Sequence, residues 1–286
     1  MAENNRRSEK LRGILYILCA AFFFALMNLF VKTAGDVPVM QKSFFRNLVA
    51  AIISLILLVA SGEKFRVGKG NWRYLFMRCA FGTTGILMNF YAIGQLNIAD
   101  ASMLNKLSPF FAIIFSIFIL KERPNKKEWA AVIIAFIGAL FVIKPSFNWD
   151  TLPAFLGMLG GMCAGLAYTC VRKLGQAGVK GPVIVFGFSF FSCIVCLPAL
   201  IFAYAPMTTW QLVSLLLAGA SAAGGQFSIT AAYTHAPAKE ISVFDYTQVL
   251  FAAVLSFFVL GDLPDVLSYV GYVIIIGTAI WKWKQR

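Results

Sequence analysis

Ten apolar stretches, at about 12–34, 40–60, 73–94, 98–120, 126–144, 154–174, 181–204, 211–233, 238–260 and 265–282, are bounded by Gly, Pro, Asn or charge clusters. Nothing constrains the fold of this chain more, because about 20 apolar residues is the length a helix needs to cross some 30 Å of hydrocarbon. Periodicity alone cannot tell a buried strand from a helix in such sequence. The backbone decides instead: an open strand leaves N–H and C=O groups unpaired in lipid, and these runs are about twice the length of a barrel strand. The expectation is an all-α polytopic membrane protein of ten transmembrane helices. Composition agrees, since 60% of residues are hydrophobic and 13% charged, against about 25% charged in soluble domains. A soluble enzyme and a disordered chain are thereby excluded. The first run reads as a retained span rather than a cleaved signal peptide, because similar runs follow it with no soluble domain between.

A net charge of +13 would in a soluble protein raise nucleic acid as a partner. The placement of the basic residues argues for topology instead, and no nucleic-acid partner is expected. Nineteen of the 25 Lys and Arg residues fall on the side shared by both termini, in clusters such as Arg6-Arg7, Lys64 to Arg73, Lys121 to Lys127 and Arg172 to Lys180. Only Lys32, Lys42 and Lys144 lie on the other side. By the positive-inside rule both termini are cytoplasmic and the protein sits in the inner, cytoplasmic membrane. The six cysteines all fall inside apolar runs, Cys193-Ile194-Val195-Cys196 included, with no His beside any of them, and read as free thiols packed as small hydrophobes.

Sliding the chain against itself by 140 residues aligns Phe111, Ala112, Ser116, Phe118, Leu120 and Pro124 with Phe251, Ala252, Ser256, Phe258, Leu260 and Pro264. Polar positions align too: Asp100 with Glu240, Ser102 with Ser242, Asn105 with Asp245, Glu122 with Asp262. The chain then reads as two five-helix repeats, 1–147 and 148–286. Five is odd, so the second repeat enters the membrane from the opposite face. Such inverted repeats build many secondary transporters, with a substrate site near the midplane where the halves meet.

Ala99-Asp100-Ala101-Ser102 through Leu107-Ser108-Pro109-Phe110, then Leu120-Lys121-Glu122-Arg123-Pro124 and Gly138, resemble the fourth and fifth helices of the EamA branch of the drug/metabolite transporter superfamily. Phe44-Phe45-Arg46 is similar to that family's second helix, and Asp262-Leu263-Pro264 to a weaker second copy of its Glu-x-Pro turn. The resemblance covers nearly the whole chain. It implies ten helices with cytoplasmic termini, with spans one, three, four, six, eight and nine around a central cavity. It further implies a substrate among amino acids and their derivatives, nucleoside-like metabolites or amphiphilic drugs, moved mostly outward.

Ionisable groups in hydrocarbon cost at least about 2.5–3.5 kcal/mol on insertion scales, so they face a cavity or a partner. Lys106 lies about eight residues into span four, roughly 12 Å, and Asp245 about seven residues into span nine, roughly 10 Å. Entering from opposite faces, they approach one another near the midplane. They either form a salt bridge or bind opposite ends of a zwitterion, and Asp245 is also the candidate carrier of a coupling proton. Further candidate substrate contacts are Asn105 beside them, Asn89 and Tyr91 on span three, Gln226 and Thr230 on span eight, Tyr246 and Gln248 on span nine, and Asn28 on span one. Gly157, Gly161 and Gly165 form a doubled GxxxG, read as close helix packing. Pro109 inside span four is expected to bend it. Arg46, some six residues into span two, is read as structural, neutralising an outer-side partner, with the drawing of anions as the alternative; Arg78 is read as lying near the inner interface, and His235 as interfacial.

The reading is a secondary, non-ATP transporter of a small polar or amphiphilic metabolite, with amino acids or related zwitterions as the first candidates and organic cations, drugs or nucleoside-like metabolites as the alternative. No enzyme is expected, because there is no HExxH, GxSxG or nucleophile–base pair, and no GxxxxGK[ST] for nucleotide. No metal or cofactor is called for. A channel or scramblase would show a through-path or a lipid-facing polar groove, whereas the inverted repeat favours alternating access. The protein is expected to work as a monomer or homodimer.

Overall fold

The computed structural model describes residues 2–62, 65–95, 104–144, 151–260 and 264–284. Among them every regular element is helical. In chain order these are α1 (Ala2–Thr33), α2 (Val39–Ala60), α3 (Trp72–Gln95), α4 (Ser108–Leu120), α5 (Lys126–Ile143), α6 (Thr151–Gln176), α7 (Gly181–Phe202), α8 (Thr209–His235), α9 (Ala238–Ile241), a 3-10 turn (Ser242–Tyr246), α10 (Thr247–Leu260) and α11 (Val266–Lys284).

Among the described residues seven segments are long and apolar enough to cross a membrane: Ser8–Thr33, Val39–Ala60, Leu152–Gln176, Gly181–Phe202, Thr209–His235, Ala238–Val259 and Val266–Lys284. The other three expected spans correspond to α3, which carries Arg73 and Arg78, to α4, which is apolar but only 13 residues long, and to α5, which begins with two lysines and a glutamate. Residues 98–103 of expected span four, Asp100 and Ser102 included, lie outside the described residues.

Local chemistry fixes the helix ends. Asn125 caps α5 by accepting the Glu128 N–H at 2.9 Å, while the Glu128 carboxylate accepts the Asn125 N–H at 2.7 Å. Thr208 and Gln211 repeat this reciprocal arrangement at the start of α8. Lys121 and Lys144 close α4 and α5 in the left-handed region, with φ of 56° and 50°, and Lys144 then reaches the Asp265 carboxylate just before α11.

The strongest helix pairings run between the two halves of the chain: α1 with α8, α3 with α6, α2 with α7, α5 with α11, α4 with α6, α2 with α8 and α1 with α10. Small residues make these approaches possible. A Cβ on Gly85 would stand 3.1 Å from the Gly160 carbonyl oxygen, and one on Gly160 equally 3.1 Å from that of Gly85. On the doubled GxxxG, a Cβ at Gly161 would meet the Leu104 carbonyl oxygen at 2.6 Å and one at Gly165 the Ala112 nitrogen at 2.7 Å. Those glycines therefore serve close packing, as their spacing indicates. Large apolar side chains point outward instead: Phe118, Phe202, Phe258 and Val266 are each at least three-quarters exposed. A surface of that kind is stable against lipid and not against water.

All six cysteines are free thiols, with only Cys19 exposed. His235 stacks on Tyr16 and its Nδ1 lies 2.6 Å from a Glu9 carboxylate oxygen.

Candidate functional site

Two helices are interrupted in the middle of the bundle. The chain turns at Lys106 and Leu107 before α4 begins, and α9 passes through the 3-10 turn at Ser242–Tyr246 before α10 begins. Pro109 does not bend a continuous helix as its sequence position suggests. It occupies the first turn of α4, where a missing N–H breaks no helical bond. The break itself lies upstream of it.

The two interruptions hold each other. Lys106 Nζ donates to Asp245 Oδ2 at 3.1 Å, to the Asp245 carbonyl at 3.3 Å and to Gln248 Oε1 at 2.7 Å. Tyr246 returns the contact, its hydroxyl donating to the Lys106 carbonyl at 3.0 Å. Carbonyls freed by broken helices in a dry interior need such donors. Lys106 and Asp245 are 7% and 8% exposed, and that residue exposure opens onto a cavity of about 230 Å³.

Seven of the ten residues expected at the site line this cavity: Asn28, Asn89, Asn105, Lys106, Gln226, Asp245 and Gln248. Three do not. Tyr246 is fully buried behind the wall, holding the Lys106 carbonyl; Thr230 is fully buried within α8; Tyr91 lies exposed on the outside of α3. Further along α10, Val249 and Ala252 reach the cavity. Ala112 and Ser116 are buried, Ala112 against Gly165.

Two further residues that sequence reasoning left out of the substrate contacts belong here. Arg46 and Arg78 line the cavity, 4% and 2% exposed. Arg78 is thus buried: its Nη2 donates to Gln226 Oε1 at 2.9 Å, and its guanidinium lies over the Phe188 ring at 3.9 Å. Arg46 donates from Nε to Met27 Sδ at 3.0 Å and from Nη1 to Asn47 Oδ1 at 3.4 Å. Phe24, Met27, Tyr168 and Phe188 supply apolar and aromatic walls that sequence reasoning also missed. One signal was present: Arg78, Gly82, Gly85 and Asn89 recur in steps of four, three and four, which is one face of a helix, and all four line the cavity. Among the described residues no group of three or more His, Cys, Asp or Glu is placed to hold a metal ion.

Discontinuous helices meeting at a buried ion pair over an internal cavity, in a bundle with an apolar outer surface, define a multi-pass membrane transporter. The chain belongs to the EamA-like transporter family, whose family model matches it twice, over residues 11–144 and 151–281. It is 30% identical to the pseudopaline exporter CntI of Pseudomonas aeruginosa, covering 94% of each chain. It is 26% identical to human solute carrier family 35 member G1, over 96% of this chain and 80% of that one. It is also 24% identical to a riboflavin transporter of Brucella anthropi, over 94% and 97%. A solved crystal structure of 14% identity superposes with a TM-score of 0.82 over 93% of this chain and 94% of that one. As a transporter, the protein handles a small-molecule substrate and is solvated by lipid.

Proposed function

We propose that this protein is a secondary transporter that moves a small polar metabolite, amino acids or related zwitterions first among them, by alternating access around the Lys106–Asp245 cavity. The observation that carries the reading is the ion pair itself, a buried cation and anion 3.1 Å apart at the breaks of two helices and open to the cavity. Breaking a helix and burying charge in a membrane are both costly, and a substrate site is the common reason for doing so. A substrate ammonium would displace Lys106 from Asp245, and a substrate carboxylate would meet the cationic side chains. Asp245 would also carry any coupling proton.

In this reading the chain forms ten spans in two inverted repeats, 1–147 and 148–286, with both termini cytoplasmic in the inner membrane. Two features support the repeats. The family model matches each half separately, and the packing is reciprocal: the first helix of each half pairs with the third of the other (α1 with α8, α6 with α3), second with second (α2 with α7), fourth with first (α4 with α6, α10 with α1) and fifth with fifth (α5 with α11). An exchange of the halves about a two-fold axis gives that pattern. The cavity, at about 230 Å³, suits a small metabolite better than a drug-sized ligand, whose pockets run to about 300–1,000 Å³. The relatives named for pseudopaline and riboflavin favour metabolites as the wider class.

Counterflow in proteoliposomes tests this. Vesicles loaded with an unlabelled amino acid should accumulate the labelled one through wild type and not through Asp245→Asn. Equal exchange by both proteins would remove Asp245 from the site. Exchange confined to nucleosides or organic cations would move the substrate to the alternative class.

A further inference from the structure

The cavity wall is more basic than the ion pair alone makes it. Among the described residues three cationic side chains, Arg46, Arg78 and Lys106, face one carboxylate, Asp245, which leaves a formal charge of +2. Asp245 is already engaged by Lys106. Among the described residues neither arginine lies within 4 Å of a carboxylate, and their hydrogen-bond partners, Met27, Asn47 and Gln226, are all neutral. The Arg78 Nε is buried with no partner at all.

A guanidinium keeps its charge under all physiological conditions, so it cannot escape burial by deprotonating. Buried charges are otherwise found paired. Nor is Arg78 a long side chain reaching for the membrane surface. It is seated: Phe188 lies under its face, and a Cβ on Gly82 would stand 2.1 Å from its Nη1. The missing side chain at Gly82 leaves the space the guanidinium occupies. A fixed, desolvated, uncompensated guanidinium with an unpartnered Nε is a receptor for an oxyanion, because its donors match a carboxylate two at a time.

Resting on the transport reading above, we propose that the substrate is a small metabolite of net negative charge bearing two carboxylates, one for Arg46 and one for Arg78. Two separate guanidiniums fit two singly charged groups, and such a substrate brings the formal charge of the occupied cavity to zero. Where the metabolite also carries an ammonium, that group takes the place of Lys106 at Asp245. A dicarboxylate without an ammonium therefore balances every charged group of the cavity, whereas an acidic amino acid leaves a formal charge of +1, a neutral zwitterion leaves +2 and a polyamine adds repulsion.

The test uses the purified full chain, with binding read by calorimetry in detergent and exchange read in proteoliposomes. The probes are glutarate, L-glutamate, L-alanine and putrescine. The diacids should bind at least about tenfold more tightly than alanine, with putrescine not binding. Arg46→Gln and Arg78→Gln should each weaken glutarate by about tenfold or more, and Arg78→Lys, which keeps the charge, should weaken it less than Arg78→Gln. Melting temperatures without ligand separate loss of the site from loss of the fold. If a Gln variant does not fold, the ranking of the four probes on wild type decides alone. Alanine or putrescine binding as tightly as the diacids, or Gln variants that fold and bind glutarate normally, would overturn the proposal. Diacids that bind but are never exchanged would leave this inference standing and refute the transport reading instead.

Discussion

Removing both partners of the Lys106–Asp245 pair should cost less than the two single removals summed, and the two single losses should be unequal. At 3.1 Å and an effective dielectric of about 20, the direct attraction is about 5 kcal/mol. Cavity water and the remaining hydrogen bonds offset part of it, so a single truncation is expected to cost about 3–5 kcal/mol, as buried pairs generally do. The order follows from the neighbours. Asp245→Asn takes the formal charge of the cavity from +2 to +3, whereas Lys106→Met lowers it to +1 and leaves Asp245 facing two guanidiniums. Asp245→Asn therefore belongs at the top of that range and Lys106→Met at the bottom, although the lysine of the first variant keeps Gln248 and the Asp245 carbonyl as acceptors. The double variant removes the cation together with the anion, and should be less destabilised than the two singles summed by about 2–3 kcal/mol, the coupling expected of residues in direct contact. Equilibrium unfolding in mixed micelles of a mild detergent and SDS at pH 7 measures all four proteins. Additive losses would show that the pair is not an energetic unit. A larger loss for Lys106→Met than for Asp245→Asn would refute the excess of positive charge in the cavity.

Other expectations are narrower. Gly165→Ala should destabilise by about 1–3 kcal/mol in the same assay, because the new Cβ lands 2.7–2.8 Å from backbone atoms of Ala112 and Ser108 that cannot swing away. Gly277→Ala on α11, where nothing lies within 4 Å, should instead gain about 0.5–1 kcal/mol from helix propensity. Asn125→Ala should cost about 1 kcal/mol by removing the cap of α5. Lys144 and Ser268 hold the exposed Asp265 carboxyl down at about 2, below its ordinary 3.8. A depressed acid contributes stability above its unfolded value and loses it as pH falls through the folded one. The melting-temperature difference between wild type and Asp265→Asn should therefore be constant above pH 4 and close between about pH 4 and 2. A difference that persists at pH 2 would count against the contact.

Much of the fold was legible because lipid leaves the backbone so little choice. Counting residues from the ends of two apolar runs was enough to bring Lys106 and Asp245 to the same depth, and the structure has them in contact. Depth along a span carries no information about face, and there the reading failed. Tyr91 and Asn89 are two residues apart on α3, so a helix turns them to different sides: Asn89 lines the cavity and Tyr91 faces outward. Arg78 was placed by its distance from the run's cytoplasmic end, when its i, i+4, i+7, i+11 relation to Gly82, Gly85 and Asn89 already put it on their side. The 3-10 turn at Ser242–Tyr246 was not legible at all. It contains neither Gly nor Pro, and is held by contacts remote in sequence, from Lys106 Nζ to the Asp245 carbonyl and from Tyr246 to the Lys106 carbonyl.

In the two-repeat reading, those last contacts separate what a duplicated scaffold would supply from what divergence adds. Lys106 and Tyr246 occupy equivalent positions at the 140-residue offset, as do Asn105 and Asp245. At each break a side chain from one half satisfies the carbonyl of the other, so the paired interruption needs only a donor of sufficient reach on both sides, and a lysine and a tyrosine serve equally. Charge is not duplicated. One half contributes Lys106, Arg46 and Arg78 to the cavity, the other Asp245. Substitutions at the close-packed glycines should accordingly move stability while leaving the ranking of substrates intact, because they act where the halves touch. Substitutions among these four charged residues should reorder the substrates, because only they distinguish one face of the cavity from the other.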